Sequence, residues 1–340
     1  MSRAQLTSTV EQNTGGAVAP FLAGKNKIIN GDFGIWARGT SFTLSGTAYT
    51  YTADRWDALN ISGATTTVSQ QAFTPGTAPV AGYEGNYFLR YATTDTSVGH
   101  VLRQKIEDVR TFAGRTVTIS FWAKVASGTP AISMNLVQSF GSGGSSDVGT
   151  AVTFTSTALS TGWQRFVGTT TLPSVAGKTI GAGSYLLFPL QVAAGNNTLD
   201  VWGCQLESGS VATPFTTASG TLQGELALCQ RYYYRWTNVG LIYSCMAMGA
   251  GYSSSAVQII YQFPVTMRAA VSYTTDSLNL VCQDIATGTV YTPTAVTLNQ
   301  SGNSSAQILF TGMSGITSYR QYAVYAGGNS NAYFGVSAEL

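Results

Sequence analysis

This sequence has little charge. Asp, Glu, Lys and Arg supply 9% of its 340 residues, against about a quarter in an ordinary soluble domain. The 17 basic residues are scattered and the formal net charge is +2. That excludes a nucleic-acid surface, which needs clustered Lys and Arg to displace counterions. The tightest basic pair, Arg103 and Lys105, stands beside Glu107 and Asp108 and reads as a solvated strand end. Histidine is almost missing: His100 stands alone, with no G-x-S-x-G motif near it, so a hydrolase-type base would lack its nucleophile. The four cysteines, Cys204, Cys229, Cys245 and Cys282, contain no C-x-x-C pair. They are too few for a disulfide scaffold and, with one histidine, exclude an ordinary zinc site. Buried thiols are expected, although a Cys245–Cys282 bridge is conceivable. No run approaches the roughly 18 apolar residues of a membrane span, and the start, Met1-Ser2-Arg3-Ala4, carries no signal-peptide core. Heptads, collagen triplets and tandem repeats are missing too, which leaves no fibre shaft.

What is present points to strands. Hydrophobic residues reach 44%, Gly numbers 38, and Ser and Thr fill the polar positions. Thr116 to Val125 puts Val117, Ile119, Phe121, Ala123 and Val125 on one face and Thr118, Ser120, Trp122 and Lys124 on the other, the period of a strand. Strands are likewise expected at 131–137, 163–171, 185–192 and 199–206, and then at 256–263, 271–275, 306–311, 321–325 and 333–338. Turn-punctuated strands with no helical period between them predict an all-β chain of antiparallel sandwiches. Leu222 to Arg231 is the exception. It is rich in helix formers and sets Leu222, Leu226 and Cys229 on one side, so a short helix is expected there.

Two motifs bracket the first half. Asn26-Lys27-Ile28-Ile29-Asn30-Gly31-Asp32-Phe33, followed by Ile35-Trp36-Ala37-Arg38 and Ala53-Asp54-Arg55-Trp56, opens it. Leu199-Asp200-Val201-Trp202-Gly203-Cys204-Gln205-Leu206-Glu207, then Thr213-Pro214-Phe215, closes it. This bracket resembles the first and last strands of the carbohydrate-binding-module-like jelly rolls of bacteriophage fibre and tail proteins. Glu225-Leu226-Ala227-Leu228-Cys229-Gln230-Arg231-Tyr232-Tyr233 and Phe263-Pro264-Val265-Thr266-Met267-Arg268 resemble the same family.

The resemblance implies four parts. Residues 1–24 form an extended anchoring arm with an apolar grip at Pro20-Phe21-Leu22. Residues 25–215 form the jelly roll, 216–231 a linker with a short helix, and 232–340 a smaller β-sandwich for distal contacts and oligomerisation. It also implies a non-enzymatic virion protein, made in the host cytoplasm, that holds other virion proteins through the arm, assembles as a homotrimer and contacts host-surface glycan. The alternatives are a capsid decoration or head-fibre protein and, further off, a polysaccharide depolymerase, which would draw on Asp54, Asp57 or Glu84 as its carboxylates. The family's structural calcium would fall on Asp32 and Asp200, hard oxygen ligands near the two ends of the bracket; the other reading is a capped turn and an exposed Asp200.

Aromatic residues are the sugar-stacking candidates. Trp36 and Trp56, beside Arg38 and Arg55, lie near loops, and Trp122 lies on the polar face of its strand. Each fits core packing as well, and Trp163 and Trp202 are expected in the core. Leu222, Leu226, Tyr232, Tyr233, Tyr234 and Trp236 are expected at a seam between domains or subunits, where Tyr and Trp are enriched.

Overall fold

The computed structural model describes residues 24–44, 46–60, 65–80, 83–97, 99–195, 198–237, 242–276, 279–328 and 332–340. The anchoring arm and its Pro20-Phe21-Leu22 grip lie outside the described residues. The chain is all-β with one described helix, and divides into two compact units, 1–226 with Leu340, and 227–339.

The described residues of the first unit form fourteen strands. They are β1 (Ser41–Leu44), β2 (Tyr49–Tyr51), β3 (Asp57–Leu59), β4 (Thr66–Ala72), β5 (Tyr87–Thr93), β6 (His100–Glu107) and β7 (Thr116–Val125). Then come β8 (Ile132–Ser133), β9 (Asn135–Ser139), β10 (Val148–Ala151), β11 (Thr153–Phe154), β12 (Gln164–Thr171), β13 (Tyr185–Val192) and β14 (Thr198–Ser208). The first sheet runs β1-β4-β5-β14-β7-β12-β11 and the second β10-β9-β13-β6-β3-β2, with β8 added on β13. Between them lies a core that includes Trp56, Leu102, Ile119, Phe121, Phe166, Phe188, Leu199 and Val201. The expected strand at 131–137 is two pieces broken at Met134, whose side chain is buried.

The alternation seen at 116–125 is real, but its second face is not solvated. Trp122 on β7 and Trp202 on β14 join Phe73, Phe88 and Phe215 in a separate apolar cluster on the outer side of the first sheet. Trp163 packs partly buried against it. A strand with both faces covered needs apolar residues on both, so Trp122 is only 7% exposed.

The two bracketing motifs meet. Asn26 donates through Nδ2 to the carbonyls of Cys204 (3.1 Å) and Thr216 (3.0 Å), while its Oδ1 accepts from the backbone of Leu206 (3.0 Å). The Cys204 amide donates to the Gly31 carbonyl at 2.8 Å, and a Cβ on Gly31 would stand 2.2 Å from the Cys204 carbonyl oxygen. Only glycine permits that approach. Gly203, with φ of 67°, makes the bulge at which β14 shifts register against β7 between Trp202 and Gln205.

The helix α1 spans Leu222–Gln230. Thr221 caps it, accepting from the Gly224 amide at 3.1 Å. The boundary between units falls inside it, after Leu226. The expected single-sided stripe is split: Leu222 is 71% and Leu226 41% exposed, whereas Cys229 is buried.

The described residues of the second unit form ten strands: β15 (Tyr233–Thr237), β16 (Cys245–Ser253), β17 (Ala256–Gln262), β18 (Ser272–Asp276) and β19 (Leu280–Asp284), then β20 (Val290–Tyr291), β21 (Ala295–Ser301), β22 (Ser305–Thr311), β23 (Gln321–Ala326) and β24 (Tyr333–Ser337). A three-stranded sheet, β15-β24-β18, and a seven-stranded one, β20-β19-β23-β16-β17-β22-β21, enclose a core that includes Val257, Ile308, Phe310, Tyr322, Val324 and Phe334. Tyr232 and Tyr233 are buried, and Tyr234 and Trp236 pack against this core. Tyr232 and Tyr233 are thus occupied within the chain, Tyr234 and Trp236 are partly buried, and of the residues expected at a seam Leu222 and Leu226 are the exposed ones.

Candidate functional site

The three tryptophans proposed as sugar platforms are structural. Trp56 is fully buried and its Nε1 donates to the Asn30 carbonyl at 3.0 Å. Trp36 is 8% exposed, donates to the Phe33 carbonyl at 2.7 Å and stacks on Phe42. Trp122 lies in the outer aromatic cluster under the Arg165 guanidinium. An indole whose faces are covered offers no plane to a pyranose ring.

Asp200, expected as a calcium ligand, is engaged by basic side chains. Both its oxygens are taken by Arg90, at 2.7 and 2.9 Å, with Lys124 at 3.6 Å. Asp32 instead lines a cavity of about 230 Å³ with Tyr83, Asn86, Thr217 and Glu225. Burial, with the neighbouring Glu225 charge adding to it, raises the Asp32 carboxyl to about 6. Glu225 is itself engaged by protein donors: the Asn30 amide at 2.5 Å and the Ser219 amide and hydroxyl at 3.0 Å each. Among the described residues no three His, Cys, Asp or Glu side chains group to hold a metal. The donors present do not fit a calcium ion bridging the two ends of the bracket, which needs six or more oxygens.

The other chemical candidates are likewise spoken for. His100 lies edge-on to Tyr91 at 4.5 Å, and burial lowers its pKa to about 4. Asp54 is buried and accepts from the Ala37 amide at 3.0 Å, and Glu84 accepts from the Gly76 amide at 2.7 Å. No disulfide joins the cysteines: Cys204, Cys229 and Cys282 are buried and Cys245, against expectation, is exposed. Burial drives the Cys204 thiol upward and the Cys282 thiol to about 12.

The open polar surface of the first unit is the outer face of its second sheet. Alternate residues of β6 point outward: Val101, Arg103, Lys105 and Glu107 are half-buried between buried Leu102, Gln104 and Ile106. Arg103 is mid-strand, not at a solvated end. Its Nε and Nη2 donate to the two oxygens of Asp57 on the adjoining β3, at 2.8 and 3.0 Å. Its guanidinium lies over the ring of Tyr49, which is 41% exposed on β2. On the other side of β6, Lys105 stands 5.1 Å from the centre of the Tyr185 ring on β13. Leu340, which belongs to this unit, borders the face: its carbonyl accepts from the Tyr51 hydroxyl at 3.2 Å and from Lys105 Nζ at 2.5 Å. Burial keeps the Tyr51 phenol protonated above its ordinary range.

Sequence reasoning passed over this surface because its parts lie on three strands, with Arg103 on β6 46 residues beyond Asp57 on β3. The only local signal was the Arg103-x-Lys105 alternation, and its meaning depends on Asp57 and Tyr49 being neighbours. Arg103, held by the buried Asp57 carboxylate, lies over the partly exposed Tyr49 ring, so guanidinium hydrogen bonds and the open part of the ring are presented side by side. They offer no nucleophile and no second carboxylate.

No family model matches this chain, and no curated protein matches it. Solved structures with partial likeness include the enzymatically active domain of tailspike protein 4 from bacteriophage CBA120, at 13% identity and TM-score 0.32, covering 54% of this chain and 22% of that one. The CBM22-1 xylan-binding domain from Paenibacillus barcinonensis has 15% identity and TM-score 0.34, over 56% of this chain and 98% of its own. The tandem CBM22-1–CBM22-2 domain from the same organism has 14% identity and TM-score 0.33, over 88% and 97%. Likenesses of this size say nothing of what this chain binds.

Proposed function

We propose that the chain is a non-enzymatic glycan-binding component of a phage virion, fibre-like, with the outer face of the second sheet as its glycan surface. The observation that carries the glycan reading is the Tyr49–Arg103–Asp57 array. A pyranose stacks its C–H face on an exposed aromatic ring, and its hydroxyls pair with charged groups held in place beforehand. Arg103 is held by a bidentate carboxylate and therefore loses little freedom on binding. The virion assignment rests on the motif resemblance, with residues 1–24 as the arm that engages other virion proteins; imaging intact particles with the arm labelled distinguishes a tail from a head position. The test of glycan binding is adsorption of the protein to a panel of immobilised bacterial surface polysaccharides. Tyr49→Ala with Arg103→Ala should weaken it at least tenfold. Unchanged adsorption contradicts the site, and release of reducing sugar favours a depolymerase instead.

The homotrimer belongs to the same proposal, with its seam moved. Of the seven strands in the large sheet of the second unit, Asp284 is the only charged residue; it is buried and paired with Arg320 at 2.9 Å. The outer face carries Met248 at 53% and Ile260 at 60% exposure. Beside them, Asn299 donates to Gln307 at 2.7 Å, and Gln307 bonds Gln258. Six long strands at about 4.8 Å spacing and about 23 Å length give about 600 Å², approaching the roughly 800 Å² each partner brings to a standard interface. A charge-free surface of that size fits a second copy of itself, and the family resemblance sets the number at three. Sedimentation at three chain masses is the expected result.

A further inference from the structure

Four polar side chains close on one another where the two ends of the first unit meet. The Gly24 amide donates to the Ala218 carbonyl at 2.7 Å, so the chain enters and leaves this unit side by side. Gln205 and Glu207 stand two apart on β14 and point to one side of it. Gln205 is fully buried and Glu207 is 1% exposed. The segment after β14 folds back over them. The Thr213 amide donates to Glu207 Oε1 at 2.9 Å and its hydroxyl to Oε2 at 2.7 Å. Gln205 Nε2 donates to Glu207 Oε1 at 2.7 Å and lies 3.3 Å from the Thr213 hydroxyl oxygen, while Gln205 Oε1 accepts from the Thr216 amide at 3.1 Å. Lys25, whose side chain is 13% exposed, completes the group: its Nζ donates to the Thr213 hydroxyl and stands 3.5 Å from Glu207 Oε2.

An amine, a carboxylate and a carboxamide held together away from water are the parts of an acyl transfer. The hydrogen bonds of Gln205 orient it for one. The Thr216 amide polarises its carbonyl and is placed to stabilise an oxyanion there, and Glu207 faces the nitrogen that would depart. The Thr213 hydroxyl, accepting from Lys25 and donating to Glu207, is a path for protons from ammonium to carboxylate. We propose that the protein joins Lys25 to Gln205 by an isopeptide bond. The Nζ lone pair forms a bond to Gln205 Cδ and the Cδ–Nε2 bond breaks. Two protons pass from Nζ through Thr213 and Glu207 to Nε2, which leaves as ammonium, and Glu207 ends as the carboxylate it began as. No oxidant or second substrate is consumed. The reaction removes the ammonium of a buried ion pair, which is costly to keep out of water. It also encloses residues 26–204 in one covalent ring, so a pull along the chain bypasses the strands between them.

Mass spectrometry of the full chain, denatured and reduced, tests this on the wild type. The mass should fall short of the sequence mass by one ammonia, after allowance for the first methionine. Trypsin should leave the Lys25–Asn26 bond uncut, and the peptide that holds Lys25 should appear joined to the one that holds Gln205. Glu207→Gln should lower the linked fraction at least tenfold. Lys25→Arg, which keeps the positive charge, should abolish the link, whereas Lys27→Arg should leave it unchanged. Pulled from its two ends, the linked wild type should release far less chain than Lys25→Arg. A wild-type mass equal to the sequence mass overturns the inference, as does an ammonia loss that persists in Lys25→Arg. A link that maps to Thr213 and yields to hydroxylamine would be a threonine ester and overturns it equally.

Discussion

The two units turn opposite kinds of sheet face outward. In the first, the outer face of the second sheet sets Arg103, Lys105, Asp57 and Glu107 among tyrosines on neighbouring strands. In the second, the outer face of the seven-stranded sheet carries Met248, Ile260, Ala323 and Tyr325 among glutamines and threonines, with no charge. Each is an antiparallel sheet over the core of its own unit, so the fold does not explain the difference. Charged groups on an open sheet are cheap while they face water and useful when a ligand brings hydroxyls to them. The same groups inside a subunit seam would need partners or cost several kcal/mol each. The first face suits a hydrated ligand that comes and goes, the second a permanent neighbour.

Placing a charge on the second face should produce the largest effect. Met248→Lys with Ile260→Lys would bury two unpaired ammonium groups in the seam, at about 3–5 kcal/mol each. Sedimentation velocity should show a single-chain species, with polysaccharide adsorption per chain site unchanged. Assembly of that variant as a trimer would break the comparison.

The reverse change sharpens it. Asp57→Asn removes the carboxylate that fixes Arg103 and should cost about 1–3 kcal/mol in glycan affinity while leaving the sedimentation coefficient alone. Arg103→Lys keeps the charge but not the two-pronged geometry, and should lose most of the same affinity. Titration calorimetry against whichever polysaccharide adsorbs is the measurement.

Asp32 gives a pH dependence that neither face should share. Its pKa is raised from 3.8 to about 6, so the folded state binds the proton more tightly than the unfolded chain. Stability from this group is fully present below about pH 4 and is lost as pH rises through about 6. Asp32→Asn should therefore raise stability at pH 7.5 by about 1–3 kcal/mol and flatten the slope between pH 4 and 7 in thermal melts. The smallest effect expected is at Cys245, the exposed thiol, whose register partner is Tyr325 in the seven-stranded sheet of the second unit. It should react with a maleimide several times faster in the dissociated Met248→Lys, Ile260→Lys protein than in the wild type, with the three buried thiols silent in both.

The all-β class and many strands were legible because alternation is local: 116–125 and 185–192 match β7 and β13 residue for residue. The bracket was legible because its motifs carry the residues that staple the ends, Asn26, Gly31 and Cys204. The tryptophans misled for a physical reason. Alternation places Trp122 opposite Phe121 but is silent on what covers that side, and here Phe73, Phe88 and Phe215 do so from distant segments. The helix pattern failed in the same way: Leu222, Leu226 and Cys229 share a side by spacing, yet only Cys229 meets packing. The Tyr49–Arg103–Asp57 array needed strand register, which composition does not encode.

Hydrogen exchange measured strand by strand, on the full chain with and without an adsorbing polysaccharide, tests the division of labour most directly. The account predicts added protection in β2, β3 and β6 when glycan is present, and protection in β16, β17 and β22 that depends on assembly and not on glycan. Glycan-induced protection confined to β16, β17 and β22, with β2, β3 and β6 unchanged, would contradict it.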